Sequence, residues 1–129
     1  MIRLGSALAL LFALGAEPGF ADCSALYALA QRHAHDMARR NSLDHAGFMT
    51  RRGPAGAAAE NVAVGCDTEA CARQAWMKSA RHRANMMLGG CEAIASAVSK
   101  SGRRYWVMEI GAAGGGAARD FSIEGRNAP

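Results

Sequence analysis

The sequence predicts an α+β fold, because helical periodicity dominates its first part and strand-like runs dominate its second. Apolar residues recur at helical spacing between residues 24 and 40. Residues 94–98 and 105–110 are short runs rich in apolar, β-branched and aromatic side chains. The polar, glycine-containing segment 99–103 joins these runs, which is typical of an antiparallel hairpin. We therefore expect helices packed on a small antiparallel sheet.

A secretory signal peptide is predicted over residues 1–21. Arg3 is the only positive charge before an apolar run from 4 to 14, and the tripeptide 19–21 carries small residues where signal peptidase requires them. A retained membrane anchor is the alternative, but it would need about 17 or more apolar residues. We expect cleavage before Asp22, no transmembrane anchor in the mature chain, and a secreted or periplasmic protein.

The mature chain is predicted to be one domain with a tail. Removal of 21 residues from 129 leaves 108, which is near the commonest size of a single domain. The domain is expected over 22–111, and the Gly- and Ala-rich segment 112–129 is expected to be a flexible tail. We expect a monomer.

The charge of the chain is mildly positive. The formal net charge is +4, and it stays +4 without the signal peptide, which contains one basic and one acidic residue. This balance would suit anionic envelope polymers or lipid surfaces. The paired arginines are scattered and lack an aromatic stacking platform, so we expect no nucleic-acid partner. These pairs are Arg39-Arg40, Arg51-Arg52 and Arg103-Arg104.

The first predicted element is an amphipathic helix over 24–40 that ends at Asn41. Its apolar stripe consists of Leu26, Ala30, His33 and Met37. His33 is expected to be a hydrogen-bonded core histidine, whereas His35 should be exposed. Residues 44–59, which are rich in glycine, read as a long loop. Loops of that length usually carry function or disorder.

Two further helices and a short strand complete the prediction. Asp67 or Thr68 can cap a helix that runs through Ser79 and is anchored by Trp76. A shorter helix is expected over 81–88, and residues 60–64 can form a strand before both helices.

The four cysteines, all in the mature chain, predict a disulfide framework. An even number in a small exported domain is typical of disulfides. Three pairings are possible, and the sequence alone does not select one. We favour Cys66–Cys71, which closes a short loop, and consequently Cys23–Cys91. A zinc–thiolate site is the alternative, but no Cys-x-x-Cys motif is present.

Several motifs occur in an order that resembles a known family. They are His33-x-x-Asp36-Met37, Leu43-x-His45, Ala59-Glu60-Asn61-Val62-Ala63-x-Gly65, Trp76-x-x-Ser79-x-x-His82-Arg83-x-Asn85-Met86 and Tyr105-Trp106. This set, from about residue 24 to 111, resembles the bacterial branch of the CAP superfamily of cysteine-rich secretory, antigen 5 and pathogenesis-related proteins, also called SCP-like. The resemblance implies an α-β-α sandwich with a small antiparallel sheet between helical layers.

The resemblance also implies a cleft lined by His45, Glu60 and His82. Two imidazoles and a carboxylate can hold zinc or another divalent metal, with His45 and His82 as ligands and Glu60 nearby. The alternative is that the three side chains tie loops together by hydrogen bonds. Eukaryotic members have a second glutamate after the tryptophan of the second helix, where this chain has residues 77–79, Met-Lys-Ser. Activity linked to that glutamate is therefore not expected to carry over.

The remaining polar and aromatic motif residues are expected to be structural. This group comprises Asn61, Asn85, Trp76, Trp106, Tyr105, Met86 and Met87. For function, we expect a non-catalytic module that binds a lipid, sterol or cell-envelope component and requires no cofactor. The alternative is a divalent-metal-dependent hydrolase. A serine hydrolase is not expected, because no Gly-x-Ser-x-Gly motif is present.

Overall fold

The computed structural model describes residues 23–112. The predicted signal peptide and all but the first residue of the predicted tail lie outside the described residues. The described elements are α1 Cys23–Arg40, a π-helical segment Phe48–Arg52, β1 Ala57–Val64, α2 Glu69–Lys78, α3 Ala80–Met86, β2 Glu92–Val98 and β3 Arg104–Gly111.

The three strands form one antiparallel sheet in the order β1-β3-β2. β2 and β3 are the predicted hairpin, and β3 lies in the centre of the sheet, where seven of its eight residues are buried. β1 is an edge strand, and its register with β3 shifts between Ala57 and Ala59. Beyond this irregularity, Glu60 lies directly opposite Glu109.

Each face of the sheet is covered by helix, which confirms the predicted α-β-α sandwich. α1 packs on one face, where its Ala30, Ala34 and Met37 join Val62 and Val107 in an apolar cluster. Because side chains alternate along a strand, the residues next to these valines point to the opposite face. There Trp76 of α2 packs with Trp106, Met108 and other apolar strand residues.

The ends of the helices follow from local chemistry. α1 ends at Asn41, whose φ of 52° is left-handed, and Ser42 N–H donates to Met37 O at 3.0 Å. This arrangement is the usual glycine or asparagine C-terminal motif. Thr68 caps α2 by accepting a hydrogen bond from the Cys71 N–H. Of the two predicted caps, Thr68 is therefore the one used.

The predicted long loop is more structured than expected. Within 44–59, a π-helical segment covers Phe48–Arg52, and β1 begins at Ala57 rather than at Glu60. The segment follows Gly47, which has a left-handed φ of 79°. The π-helical segment buries two side chains, and one of them is the charged Arg52. Its sequence therefore shows no apolar periodicity that would predict a helix.

The cysteines form the favoured pairs, Cys23–Cys91 and Cys66–Cys71, and no free cysteine remains among residues 23–112. The first bridge joins the start of α1 to the start of the hairpin across 68 residues of sequence, whereas the second spans only 5. The long bridge therefore closes a loop that contains α1, the π-helical segment, β1, α2 and α3. Within this part of the chain, no helix is both long and apolar enough to cross a membrane.

Candidate functional site

A cluster of ionisable side chains is buried on the α1 face of the sheet. Glu60 and Glu109, on neighbouring strands, are both 0% exposed, and Arg52 from the π-helical segment is 4% exposed. Charged side chains are almost never fully buried unless they are paired. The cluster must therefore satisfy its charges internally.

Arg52 neutralises Glu60 through two hydrogen bonds. Its Nε donates to Glu60 Oε2, and its Nη2 donates to Glu60 Oε1 at 3.0 Å. Two further guanidinium N–H groups donate to backbone carbonyls, Nη1 to Ala46 at 2.9 Å and Nη2 to His45 at 3.3 Å. A bidentate arginine of this kind holds a carboxylate in a fixed orientation. The same side chain fixes the loop that carries His45.

The second carboxyl group of the cluster, that of Glu109, is neutral. Arg52 Nε lies 2.9 Å from Glu109 Oε1, but its single N–H points to Glu60, and neither oxygen of Glu109 receives a hydrogen bond in the described structure. Burial and the adjacent, negatively charged Glu60 raise the pKa of Glu109 to about 11. Glu109 therefore carries a proton at neutral pH and donates it to Glu60.

Glu60 is the ionised member of the pair. Burial alone would raise its pKa, but hydrogen bonds from Glu109, His45 and Arg52 lower the pKa of Glu60 to about 2. Two adjacent carboxyl groups in a site of low dielectric cannot both ionise, so their pKa values separate. One arginine and one shared proton thus balance two glutamates.

Two histidines flank Glu60. His45 Nδ1 donates to Glu60 Oε1 at 2.7 Å, and the His45 side chain is 14% exposed, so it links the buried cluster to the surface. His33 Nε2 donates to the carbonyl of Asp44 at 2.8 Å and lies 3.8 Å from Glu60 Oε1. Burial lowers the pKa of His33 below its usual value. His33 is thus a hydrogen-bonded core histidine, as predicted, and His35 is exposed.

His82 is attached to the opposite face of the sheet by a chain of amides. Asn61 Nδ2 donates to the backbone carbonyl of His82 at 3.1 Å, and Asn85 Nδ2 donates to Asn61 Oδ1 at 2.9 Å. The His82 Nδ1 atom is buried and has no hydrogen-bond partner among the described residues. Burial, and secondly the charge of His45, lower the pKa of His82. The two imidazoles therefore interact electrostatically past the edge strand β1.

Of the three predicted cleft residues, the geometry joins two directly. His45 and Glu60 are hydrogen-bonded, whereas His82 forms no hydrogen bond or ion pair with either of them in the described structure and interacts with His45 only electrostatically. Glu60 is fully buried with both oxygens occupied, which suits a group that orients His45 rather than one that binds a ligand. No three His, Cys, Asp or Glu side chains in residues 23–112 are grouped to hold a metal ion. The donors in place are thus two imidazoles, one of them oriented by a carboxylate.

Arg52 and Glu109 belong to this site but were missed by the sequence analysis. In the sequence, Arg52 is a member of one of three scattered arginine pairs, and its burial depends on the fold of the 44–59 segment. Glu109 gave a usable signal, because it is the only charged residue within the apolar run 105–110. A charged residue inside a run that reads as a buried central strand requires a partner.

Comparison with known proteins agrees with this architecture. The family model described as "CAP: Cysteine-rich secretory protein family" matches residues 22–110, well over half of the chain. The chain belongs to the CAP family. The resemblance deduced from the sequence motifs is thereby confirmed, and the match covers every described element of the domain except the last residue of β3. No curated protein and no solved structure matches this CAP chain.

Proposed function

We propose that this CAP protein is an exported, non-catalytic binding module whose cleft, lined by His45, Glu60 and His82, holds a lipid, a sterol or another cell-envelope component. We expect a secreted or periplasmic monomer that requires no cofactor. The two disulfides support export, since such bonds persist in oxidising compartments. The mild positive charge suits an anionic envelope.

One observation carries the proposal: the cleft carboxylate is already fully engaged. Glu60 is 0% exposed, and Arg52 and His45 bind its oxygens. A general base needs access to the proton that it removes, within about 3 Å or through one water. Glu60 has no such access, so its role is to hold the ring of His45. The cleft then presents imidazole edges to a ligand but no free carboxylate.

The contacts of the two histidines also favour binding over covalent catalysis. Nucleophilic catalysis by serine, threonine or cysteine needs a base in hydrogen-bond contact with the hydroxyl or thiol. In the described part of the chain, neither His45 nor His82 forms a side-chain hydrogen bond with such a residue. All four cysteines are consumed in disulfides.

The alternative proposal is a divalent-metal-dependent hydrolase in which His45 and His82 hold zinc or a similar ion. The unpartnered Nδ1 of His82 favours it, as does the carboxylate behind His45, an arrangement common behind metal-bound histidines. However, catalytic zinc sites use three protein ligands. Glu60 does not fit as the third, because Arg52 already binds it. The described residues therefore do not complete a three-ligand catalytic zinc site.

Native mass spectrometry of the mature protein, purified after export by its native route, tests both proposals. We expect a non-covalent adduct with a lipid-like mass that survives treatment with a chelator. Titration with phosphatidylglycerol and with cholesterol, as separate probes, then identifies the class of ligand. A chelator-sensitive adduct with the mass of a single divalent ion would favour the alternative.

Matched histidine variants assign the binding to the cleft. His45→Ala and His82→Ala should each weaken adduct formation, whereas His35→Ala should not, because His35 is exposed on α1. Circular dichroism and thermal unfolding confirm that each variant folds. If both cleft variants bind the probes as well as the His35 variant does, the cleft is not the binding site and the proposal is wrong.

A further inference from the structure

A pocket lies between α1 and the π-helical segment, beside the buried Glu60 cluster, and neither His45 nor His82 lines it. Its volume is about 150 Å³, and its walls are Leu29, Arg32, His33, Asp36, Ala46, Gly47, Arg51 and Arg52. The four α1 residues fall at positions i, i+3, i+4 and i+7, so they share one face of the helix. A cavity of this volume can hold a group about as large as benzene.

Two arginines on the pocket wall have no acidic partner among the described residues. Within residues 23–112, Arg32 and Arg51 form no hydrogen bond or ion pair, and both are exposed. Arg52, the third arginine, is committed to Glu60 and to two backbone carbonyls. The two free guanidinium groups are therefore available to a ligand.

The acidic residue of the pocket does not neutralise these charges. Asp36 stands four positions after Arg32 on α1, where it could pair with it. Instead, Asp36 Oδ1 accepts from Arg39 at 2.7 Å, and Asp36 Oδ2 accepts from Arg40 at 3.0 Å. These contacts lower the pKa of Asp36, which therefore remains an ionised partner of those two arginines. The pocket retains an excess of two positive charges.

Gly47 lines the pocket next to the guanidinium groups of Arg51 and Arg52. A Cβ atom at this glycine would lie 3.5 Å from Arg51 Nε and 3.4 Å from Arg52 Nη1. The left-handed φ of Gly47 also disfavours any side chain there. These distances are ordinary van der Waals contacts, so the left-handed backbone, and not a lack of space, favours glycine at this point of the pocket wall.

We infer that this pocket binds a phosphate group, with Arg32 and Arg51 as its ligands. Guanidinium forks match the geometry of phosphate oxygens and bind them by charge-assisted hydrogen bonds. The volume admits a phosphate with a small substituent and excludes an entire lipid. The group can therefore belong to a soluble phosphate ester or to a phospholipid headgroup at an envelope surface. This inference does not depend on the ligand of the His45–His82 cleft.

The test is titration of the disulfide-bonded mature protein with inorganic phosphate, glycerol 3-phosphate and acetate, followed by NMR. We expect both phosphates to shift the amide resonances of residues 46–52 and to bind more tightly than acetate. Co-sedimentation with phosphatidylglycerol and phosphatidylcholine vesicles then distinguishes the sources. Preference for phosphatidylglycerol indicates a headgroup at the surface, and binding of soluble phosphates alone indicates a free ester.

The double variant Arg32→Gln/Arg51→Gln should weaken phosphate binding more than tenfold, since each charge-assisted hydrogen bond contributes about 1.5–3 kcal/mol. Its control is Lys78→Gln/Arg103→Gln, which removes the same charge from exposed positions outside the pocket. The control should change affinity less than twofold, and thermal unfolding should be unchanged in both.

Equal weakening in the two double variants, no binding of either phosphate, or equal binding of acetate would overturn the inference. His82→Ala should leave phosphate binding intact, because a separate amide network holds His82, and this separates the result from the test of the cleft.

Discussion

The two faces of the sheet are stabilised in different ways. On the α1 face, small alanines surround an ionic cluster in which Arg52 and one shared proton balance Glu60 and Glu109. On the opposite face, two tryptophans pack with apolar strand residues, and the buried polar links are neutral hydrogen bonds, whereas the Arg73–Glu92 ion pair lies at the surface. We therefore expect substitutions on the α1 face to change the free energy of unfolding in a strongly pH-dependent way, and substitutions on the opposite face to do so only weakly.

This asymmetry also separates the two sides of the cleft. His45 depends on the ionic cluster, because its ring is held by Glu60 and its carbonyl by Arg52. His82 depends on amides, because Asn61 binds its backbone and Asn85 binds Asn61. The two imidazoles are thus positioned by independent networks on opposite sides of one edge strand. A substitution in one network should leave the other histidine in place.

The largest effect is expected from Trp76→Ala on the apolar face. Trp76 is 0% exposed, and its Nε1 donates to the Val62 carbonyl at 3.1 Å. The substitution should lower the free energy of unfolding by about 3–5 kcal/mol, by a similar amount at pH 5 and pH 8. Urea midpoints at unchanged slope measure it. The neighbouring exposed Met77→Ala is the control, and a loss below about 1 kcal/mol for Trp76→Ala would place the indole outside the core.

Arg52→Met should have the next largest effect, and that effect should depend on pH. Loss of the guanidinium leaves the Glu60 charge buried without its partner, which costs about 3–5 kcal/mol near neutral pH. In the native protein the lowered pKa of Glu60 stabilises the fold above about pH 4.5, and this contribution is lost as pH falls towards 2. The variant should therefore approach the native protein in stability on acidification.

The double variant Arg52→Met/Glu60→Gln tests whether charge is the cause. Removing the carboxylate as well should recover part of the stability lost in Arg52→Met, because no unpaired charge remains. A deficit that is the same at pH 4 and pH 8, and that is not relieved by Glu60→Gln, would mean that Arg52 acts through packing alone. The ionic description of the α1 face would then be wrong.

Glu109→Gln should stabilise the protein. Because the pKa of Glu109 is raised, its protonated side chain contributes fully to the stability of the fold below about pH 4.5, and this contribution is lost as pH rises towards 11. Glutamine mimics the protonated acid, donates to Glu60 and does not titrate. We expect a gain of at least about 1 kcal/mol at pH 8 and little change at pH 4. Asp67→Asn, which neutralises an exposed carboxylate with no ion pair among residues 23–112, is the control, and equal gains in both variants would refute the shared proton.

The fold could be predicted from sequence further than the site could. Helical spacing, the Thr68 cap and the turn at 99–103 are local signals, and the elements that they predicted are present. The ionic cluster depends instead on strand register, which places Glu60 opposite Glu109, and on a π-helical segment that carries Arg52 inward. The register joins residues that are distant in sequence, and the π-helical segment has no apolar periodicity by which the sequence would predict it. Motif resemblance identified His45, Glu60 and His82, but it gave no information on which of them would be buried.

The smallest predicted effect is a change in the pKa of His82 when His45, on the other side of β1, is replaced. Burial, and secondly the charge of His45, keep the pKa of His82 below its usual value of about 6.5. His45→Ala should therefore raise the pKa of His82, measured by NMR titration, while burial keeps it below 6.5. His35→Ala should leave it unchanged, because His35 is exposed on α1 and is not among the causes of the shift. If His45→Ala also leaves the pKa of His82 unchanged, the two imidazoles do not share a pocket, and the cleft reduces to His45 and its glutamate.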